Sequence, residues 1–146
     1  MALPRIVPDL VHLAQKAAKA NAAGLWLLND AGTQLQCVFY EGMSQDYVEC
    51  VRELPLGTMT CGRAVVEQRP VIARDLRSDP EYKPAWKTPV RSCFSVPVVG
   101  HGERVLGSLA CHFLKVHSPS SYDVERNQLF AKLIAFAIEE QAEKAA

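Results

Sequence analysis

Residues 91–113 read RSCFSVPVVGHGERVLGSLACHF, and this stretch decides the fold. Ser92 to Val99 is an apolar run broken by small polar residues, Gly100-His101-Gly102-Glu103 reverses the chain, and Val105 to Phe113 runs back. A Gly-x-Gly between two β-rich runs is a hairpin signal, because glycine reaches positive φ without steric cost. The hairpin carries Ser92, Cys93, Ser95, Ser108, Cys111 and His112 inside a hydrophobic sheet, where packing alone would favour Val and Ile. One face of the sheet is therefore expected to line a cavity.

Working outward, the 146 residues suit one domain with one core. Hydrophobic residues make up 49% and charged residues 22%, as in an ordinary soluble globule. Lys+Arg and Asp+Glu are both 16, so the formal charge is zero and nothing electrostatic points to nucleic acid or an anionic membrane as main partner. No apolar run approaches a membrane span, and the opening MALPRIVPDLVHL lacks a signal-peptide layout. The five cysteines (Cys37, Cys50, Cys61, Cys93, Cys111) are odd in number and scattered, without a C-x-x-C. That pattern fits free thiols in a reducing, cytoplasmic compartment, and neither a disulfide framework nor a metal site.

Before the hairpin, Asp9 reads as an N-cap and Leu10 to Ala23 as a helix with a stripe of small residues (Leu10, Leu13, Ala14, Ala17, Ala18, Ala20), ended by Asn21 and Gly24. Gly24 to Asn29 and Gln34 to Glu41 read as strands joined at Asp30-Ala-Gly-Thr. Ser44 can cap a short helix over Gln45 to Arg52. Leu54-Pro-Leu-Gly reads as a loop, Thr58 to Arg69 as another short helix stopped by Pro70, Val71 to Asp75 as a strand, and Leu76 to Lys87 as a loop with one helical turn. After the hairpin, Ser121 with Glu125 resembles a loose capping pattern. A last helix runs from about Asp123 to the end, with Leu129, Phe130, Leu133, Ile134, Phe136, Ala137 and Ile138 at helical spacing. Its EEQAEKAA ending reads as a connector. Strands in the middle with helices at both ends give an α+β class: an antiparallel sheet of about five to six strands, terminal helices on one face, short helices and loops over a pocket on the other. Because alternate strand residues point oppositely, Cys93, Ser95 and His112 should face the short helices, and Phe94, Val96 and Val98 the terminal ones.

Several stretches in this order carry a family resemblance: Gly24-Leu-Trp-Leu-Leu-Asn, Leu56-Gly57 with Cys61-Gly62-Arg63-Ala64, Arg69-Pro-Val-Ile with Asp75-Leu-Arg-Ser-Asp-Pro, Arg91-Ser-Cys-Phe-Ser-Val-Pro, and Val105-Leu-Gly-Ser-Leu-Ala. From about Leu10 to Glu140 the chain resembles a GAF domain, the small-molecule-sensing module of bacterial signalling proteins. The resemblance implies a ligand pocket on one face of the sheet, a helical layer that forms a homodimer, and a regulated output domain, of the histidine kinase or diguanylate cyclase type, elsewhere in a longer parent chain. Residues 1–146 then form a single sensor module, excised or free-standing, that is not itself catalytic and binds neither nucleic acid nor membrane.

The candidate ligand-binding residues are Cys61, Asp75, Trp86, Arg91, Cys93, Ser95 and His112. The Cys111-His112 pair resembles one found at the end of this strand in bilin-binding GAF domains, which places His112, Cys93 and Ser95 toward the cavity. The chain lacks the Asp-Ile-Pro segment of phytochromes and any Cys before Arg91 in the attachment segment, which argues against the bilin itself. His112 could ligate haem, or simply be satisfied by hydrogen bonds. Cys61 near a helix start could be a redox-sensitive thiolate, or a small buried core residue. Cys93 and Cys111 on adjacent strands could lie close. Arg91 could hold an anionic ligand through its planar fork or pair with Asp75, and Trp86 could stack on a planar ligand or plug the pocket. The alternative to a sensor is a cysteine-dependent free methionine-R-sulfoxide reductase, which uses this fold, or a haem- or redox-sensing domain. The ligand and any cofactor are left unnamed by the sequence.

Overall fold

The hairpin that opens the sequence argument forms as read: β5 spans Ser92–Val99 and β6 spans Val105–Phe113, paired antiparallel from Ser92 opposite Phe113 to Val99 opposite Val105. In this computed structural model, which describes residues 2–42 and 45–146, the reversal is made by His101–Glu103 with positive φ at Gly102 and Glu103. Gly100 stays extended, so only the second glycine serves the turn.

Two more strands, β1 (Ala22–Leu28) and β2 (Gln34–Glu41), make the first hairpin, and β1 lies antiparallel against β6. Short edge strands β3 (Glu53–Pro55) and β4 (Val71–Ala73) complete a six-stranded antiparallel sheet of order β3-β2-β1-β6-β5-β4. The loop read at Leu54-Pro-Leu is thus an edge strand, with Leu54 opposite Leu35. The proline is tolerated because an edge strand leaves one row of its backbone unpaired.

Helices α1 (Ile6–Ala18) and α4 (Ser121–Ala145) cover one face. The first helix starts before Asp9, because Pro8 lies in the first turn, where backbone N–H groups have no helical partner to lose. It ends at Lys19 in the left-handed region, which frees Ala22 and Ala23 for β1. The last helix is capped by Ser120, not Ser121: its side chain accepts from the Asp123 N–H and the Asp123 carboxylate accepts from the Ser120 N–H. Between these helices and the sheet lie Val7, Val11, Ala14, Phe94, Val96, Val98, Leu109, Phe113 and Ile134. Leu13, Leu129, Leu133 and Phe136 point away from the sheet and are about half exposed or more.

The other face is covered by α2 (Gln45–Val51), α3 (Met59–Glu67) and two 3-10 turns, Leu76–Ser78 and Pro80–Ala85. The expected Ser44 cap of α2 lies outside the described residues. Trp26, Leu35, Tyr47, Leu54, Cys61, Leu76, Tyr82, Val90 and Cys93 make this second core. The expected strand phase is found: Phe94, Val96 and Val98 belong to the terminal-helix core, Cys93 to the short-helix core. Cys111 faces α1 and α4, opposite to Cys93, and all five cysteines are free.

The sheet is tightest where β6 passes β1. A Cβ at Gly107 would collide with the Trp26 carbonyl oxygen, a backbone atom held in the β1–β6 ladder. Gly107→Ala should therefore lower the urea-unfolding free energy by roughly 2–3 kcal/mol. Gly102→Asn, at φ +62 with nothing close to it, should stay within about 0.5 kcal/mol of the parent chain.

Candidate functional site

The short-helix face holds a cluster of hydrogen-bonded polar groups inside its apolar layer. Strand β6 supplies His112, which is buried opposite Cys93 of β5 and Ala22 of β1. Its Nε2 lies 3.1 Å from the Tyr47 hydroxyl on α2, and its Nδ1 lies 3.3 Å from the Tyr40 hydroxyl on β2. A neutral imidazole has one donor and one acceptor nitrogen, so one tyrosine accepts from it and the other donates to it. Trp26 meets His112 edge-on at 5.9 Å, and its indole N–H donates to the Val51 carbonyl at 2.7 Å. Gly24 makes room for this group: a Cβ there would come within 2.7 Å of both the Trp26 and Tyr40 rings.

Beside the histidine lies a second cluster. The Thr60 hydroxyl on α3 is 2.8 Å from the Ser95 hydroxyl and 3.3 Å from the Cys93 sulfur, and the Cys61 sulfur is 3.3 Å from Ser95. All four side chains are buried. The local reason is geometric: consecutive residues Thr60 and Cys61 open α3 over the alternate residues Cys93 and Ser95 of β5.

Burial sets the protonation states. It pushes the thiols of Cys61 and Cys93 up to about 12, and the phenols of Tyr40 and Tyr47 above their usual range. The same loss of hydration pushes His112 down to about 3. The interior is thus uncharged at neutral pH: protonated thiols and phenols around an unprotonated imidazole. A thiol in that state is a poor nucleophile. Both nitrogens of His112 are engaged, which leaves neither free for an axial bond to haem in this arrangement.

Of the sequence-predicted site residues, the structure brings together Cys61, Cys93, Ser95 and, directly opposite Cys93 on the next strand, His112. The others lie apart. Arg91 pairs with Asp75 at 3.3 Å, and Asp75 also accepts from the Arg77 N–H, so both are occupied with structure at the end of β4. Asp75 lines an open cleft of about 360 Å³ with Arg63, Arg74 and Tyr82. Trp86 donates its indole N–H to the Leu76 carbonyl at 2.6 Å and lines a surface recess with Lys83, Pro84 and Lys87. Thr60, Tyr40 and Tyr47 were missed. Their signal was available only in part: a glycine inside a strand, Gly24, marks a close approach of large groups. Among the described residues no group of His, Cys, Asp and Glu is disposed to hold a metal ion, and no helix is long and apolar enough to cross a membrane.

Comparison with solved structures places the chain beside small α+β modules. It superposes on a domain assigned to a two-component sensor histidine kinase from Sinorhizobium meliloti 1021 (TM-score 0.81, 17% identity, covering 99% of this chain and 97% of that one). It also superposes on the GAF domain of a phosphoenolpyruvate-protein phosphotransferase from Coxiella burnetii (TM-score 0.81, 20% identity, 98% and 86% covered). A third similar structure is free methionine-R-sulfoxide reductase from Neisseria meningitidis with its substrate (TM-score 0.78, 20% identity, 93% and 78% covered). At these identities the likeness is one of fold. A comparison with curated proteins finds no sequence match. The family model for the GAF domain matches residues 2–139, nearly the whole chain, and the chain therefore belongs to the GAF domain family.

Proposed function

We propose that this domain is a non-catalytic cytoplasmic sensor that takes a small uncharged ligand behind α2, in the place now filled by the Tyr47 ring. The observation that carries this reading is the cluster of hydroxyls, thiols and one imidazole buried inside an otherwise apolar layer. A core built only for stability gains nothing from such groups that apolar side chains would not supply. The absence of full charge in the cluster selects the ligand class, since an anion or cation would lose its hydration without a counter-charge. A ligand hydroxyl or carbonyl would take over the bond that Tyr47 makes to His112.

The relay would run through α1 and α4 to an output domain in a longer chain. On α4, Tyr122, Leu129, Leu133 and Phe136 face outward, the last three at intervals of four and three residues that keep one stripe of a helix. Ile6 and Leu13 face outward on α1. Such a stripe on both helices favours a homodimer, in which the two copies pack these helices together. Sedimentation at increasing concentration should show the dimer, and Leu133→Glu with Phe136→Glu should leave a folded monomer. A parent chain that stays monomeric throughout would remove the dimer from the scheme.

The sensor reading is tested by native mass spectrometry of the purified domain and by a designed vacancy. Tyr47→Ala removes the ring and should lower stability by roughly 3–5 kcal/mol. Added phenol should restore part of it in a saturable way, while leaving the parent chain unchanged. Failure of phenol to stabilise the variant, with no bound small molecule in the native spectrum, would sink the site. The reductase alternative needs a thiolate, and the buried thiols disfavour it. Free methionine sulfoxide should not be consumed with a thiol reductant; consumption abolished by Cys61→Ser or Cys93→Ser would reverse the assignment.

The depressed His112 gives a pH signature. The unfolded chain takes up a proton near pH 6.5, whereas the folded chain does so only near 3. The stabilisation is complete above about pH 6.5 and is lost as pH falls toward 3, with a slope of about 1.4 kcal/mol per pH unit. Urea unfolding of the parent chain and of His112→Gln, from pH 7 to 4, should show this extra slope in the parent chain only.

A further inference from the structure

The other face of the sheet carries a group of basic side chains between the end of α1 and the start of α4. There a cleft of about 380 Å³ is lined by Ala17, Ala18, Lys19, Phe113, Lys115, His117, Asp123 and Arg126. Four of these side chains are basic in type and one is acidic. The acid is already used: Asp123 accepts from the Arg126 guanidinium at 2.7 Å and caps α4 through Ser120. Lys19 and Lys115 also line the cleft, and among the described residues no carboxylate is bound to either.

The Arg126 and His117 side chains are held in place. Arg126 donates to the Ala17 carbonyl at 2.6 Å as well as to Asp123, and its guanidinium lies 5.1 Å from the Tyr122 ring centre. His117 rests on the Phe113 ring at 4.3 Å, and its backbone N–H donates to the Arg74 carbonyl. Yet Arg126 Nε and His117 Nε2 are both buried and have no hydrogen-bond partner among the described residues. A buried donor left without an acceptor costs roughly 1–3 kcal/mol. The unpartnered Arg126 Nε–H shares the cleft with two ammonium groups and with His117, which can donate from Nε2 in one of its tautomers, and an oxyanion would supply the missing acceptor and charge.

We infer that this cleft binds the carboxylate or phosphate group of a small anionic molecule, independently of the neutral ligand proposed on the opposite face. An oxyanion seated there would touch α1 through Lys19, β6's continuation through Lys115 and His117, and α4 through Arg126. It would therefore tie together the ends of the two helices proposed to carry the signal. The rim lysines supply attraction, and the inner pair supplies direction.

The test is a titration of the isotopically labelled domain with inorganic phosphate and, separately, acetate, each against chloride at constant ionic strength, followed by NMR. The expected result is a saturable millimolar response confined to residues around Lys19, Lys115, His117 and Arg126, including the His117 ring. Lys19→Gln with Lys115→Gln should weaken it roughly fivefold or more, with the remaining spectrum unchanged as evidence of an intact fold. Tighter binding of phosphate assigns the phosphoryl class, and comparable binding of acetate assigns the carboxylate class; either upholds the site. A linear, unsaturable response, the same response to chloride, or full affinity in the double variant would overturn it.

Discussion

An imidazole sealed from water must have both of its nitrogens answered, and much of the short-helix face follows from how that is done for His112. One tyrosine comes from the sheet and one from α2, so the bond at Nε2 ties α2 to the sheet beside the bond from the Trp26 indole N–H to the Val51 carbonyl. The Trp26 ring stands edge-on against the imidazole, and Gly24 gives up its side chain so that Trp26 and Tyr40 can both reach it. Remove any of these and a polar atom is left in a low-dielectric interior, where the cost is the whole of its lost hydration.

The two faces of the sheet solve different problems. Under α1 and α4 the contacts are almost wholly apolar, with Ala14, Ala18, Ala131 and Ala135 letting the helices lie close. Such a layer moves as a unit, because close packing of non-directional contacts has few alternative arrangements of equal density. Under α2 and α3 the layer is held by directional bonds between side chains far apart in sequence. In the proposed sensor, those bonds would be exchanged one for one with a ligand that offers the same donors and acceptors.

This difference also explains what could be read from the sequence. The spans of β2, β5 and β6 and the facing of Cys93, Phe94 and Val96 followed from alternation and from turn residues, which are local properties. The start of α1 was missed because Pro8 looks like a break when it is in fact tolerated in a first turn. Strand β3 was missed because three residues carry no periodicity, and only the pairing of Leu54 with Leu35 makes them a strand. Cys61, Cys93, Ser95 and His112 could be grouped by strand phase and family resemblance. Their partners Thr60, Tyr40 and Tyr47 could not, since no local pattern reports which residue arrives from another element. Arg91, open to two readings in the sequence, turns out to pair with Asp75.

Strand β6 joins the two faces through consecutive residues. His112 points to α2, and Cys111 beside it points to α4, where the fully buried Asn127 donates to its sulfur at 3.2 Å. A shift of the β6 backbone that follows His112 would move Cys111 against Asn127, so the proposed site has a short mechanical route to the long helix. The energy available on that route can be bounded. A ligand replacing Tyr47 exchanges one hydrogen bond for another, which contributes little net. The differential must come from apolar area, and a ligand burying about 150–200 Å² at about 25 cal/mol per Å² supplies roughly 4–5 kcal/mol. Reversing a 1:99 population needs about 5.5 kcal/mol. A sensor built on this cluster would therefore work only if the tyrosine-out state already lay within a few kcal/mol of the tyrosine-in state.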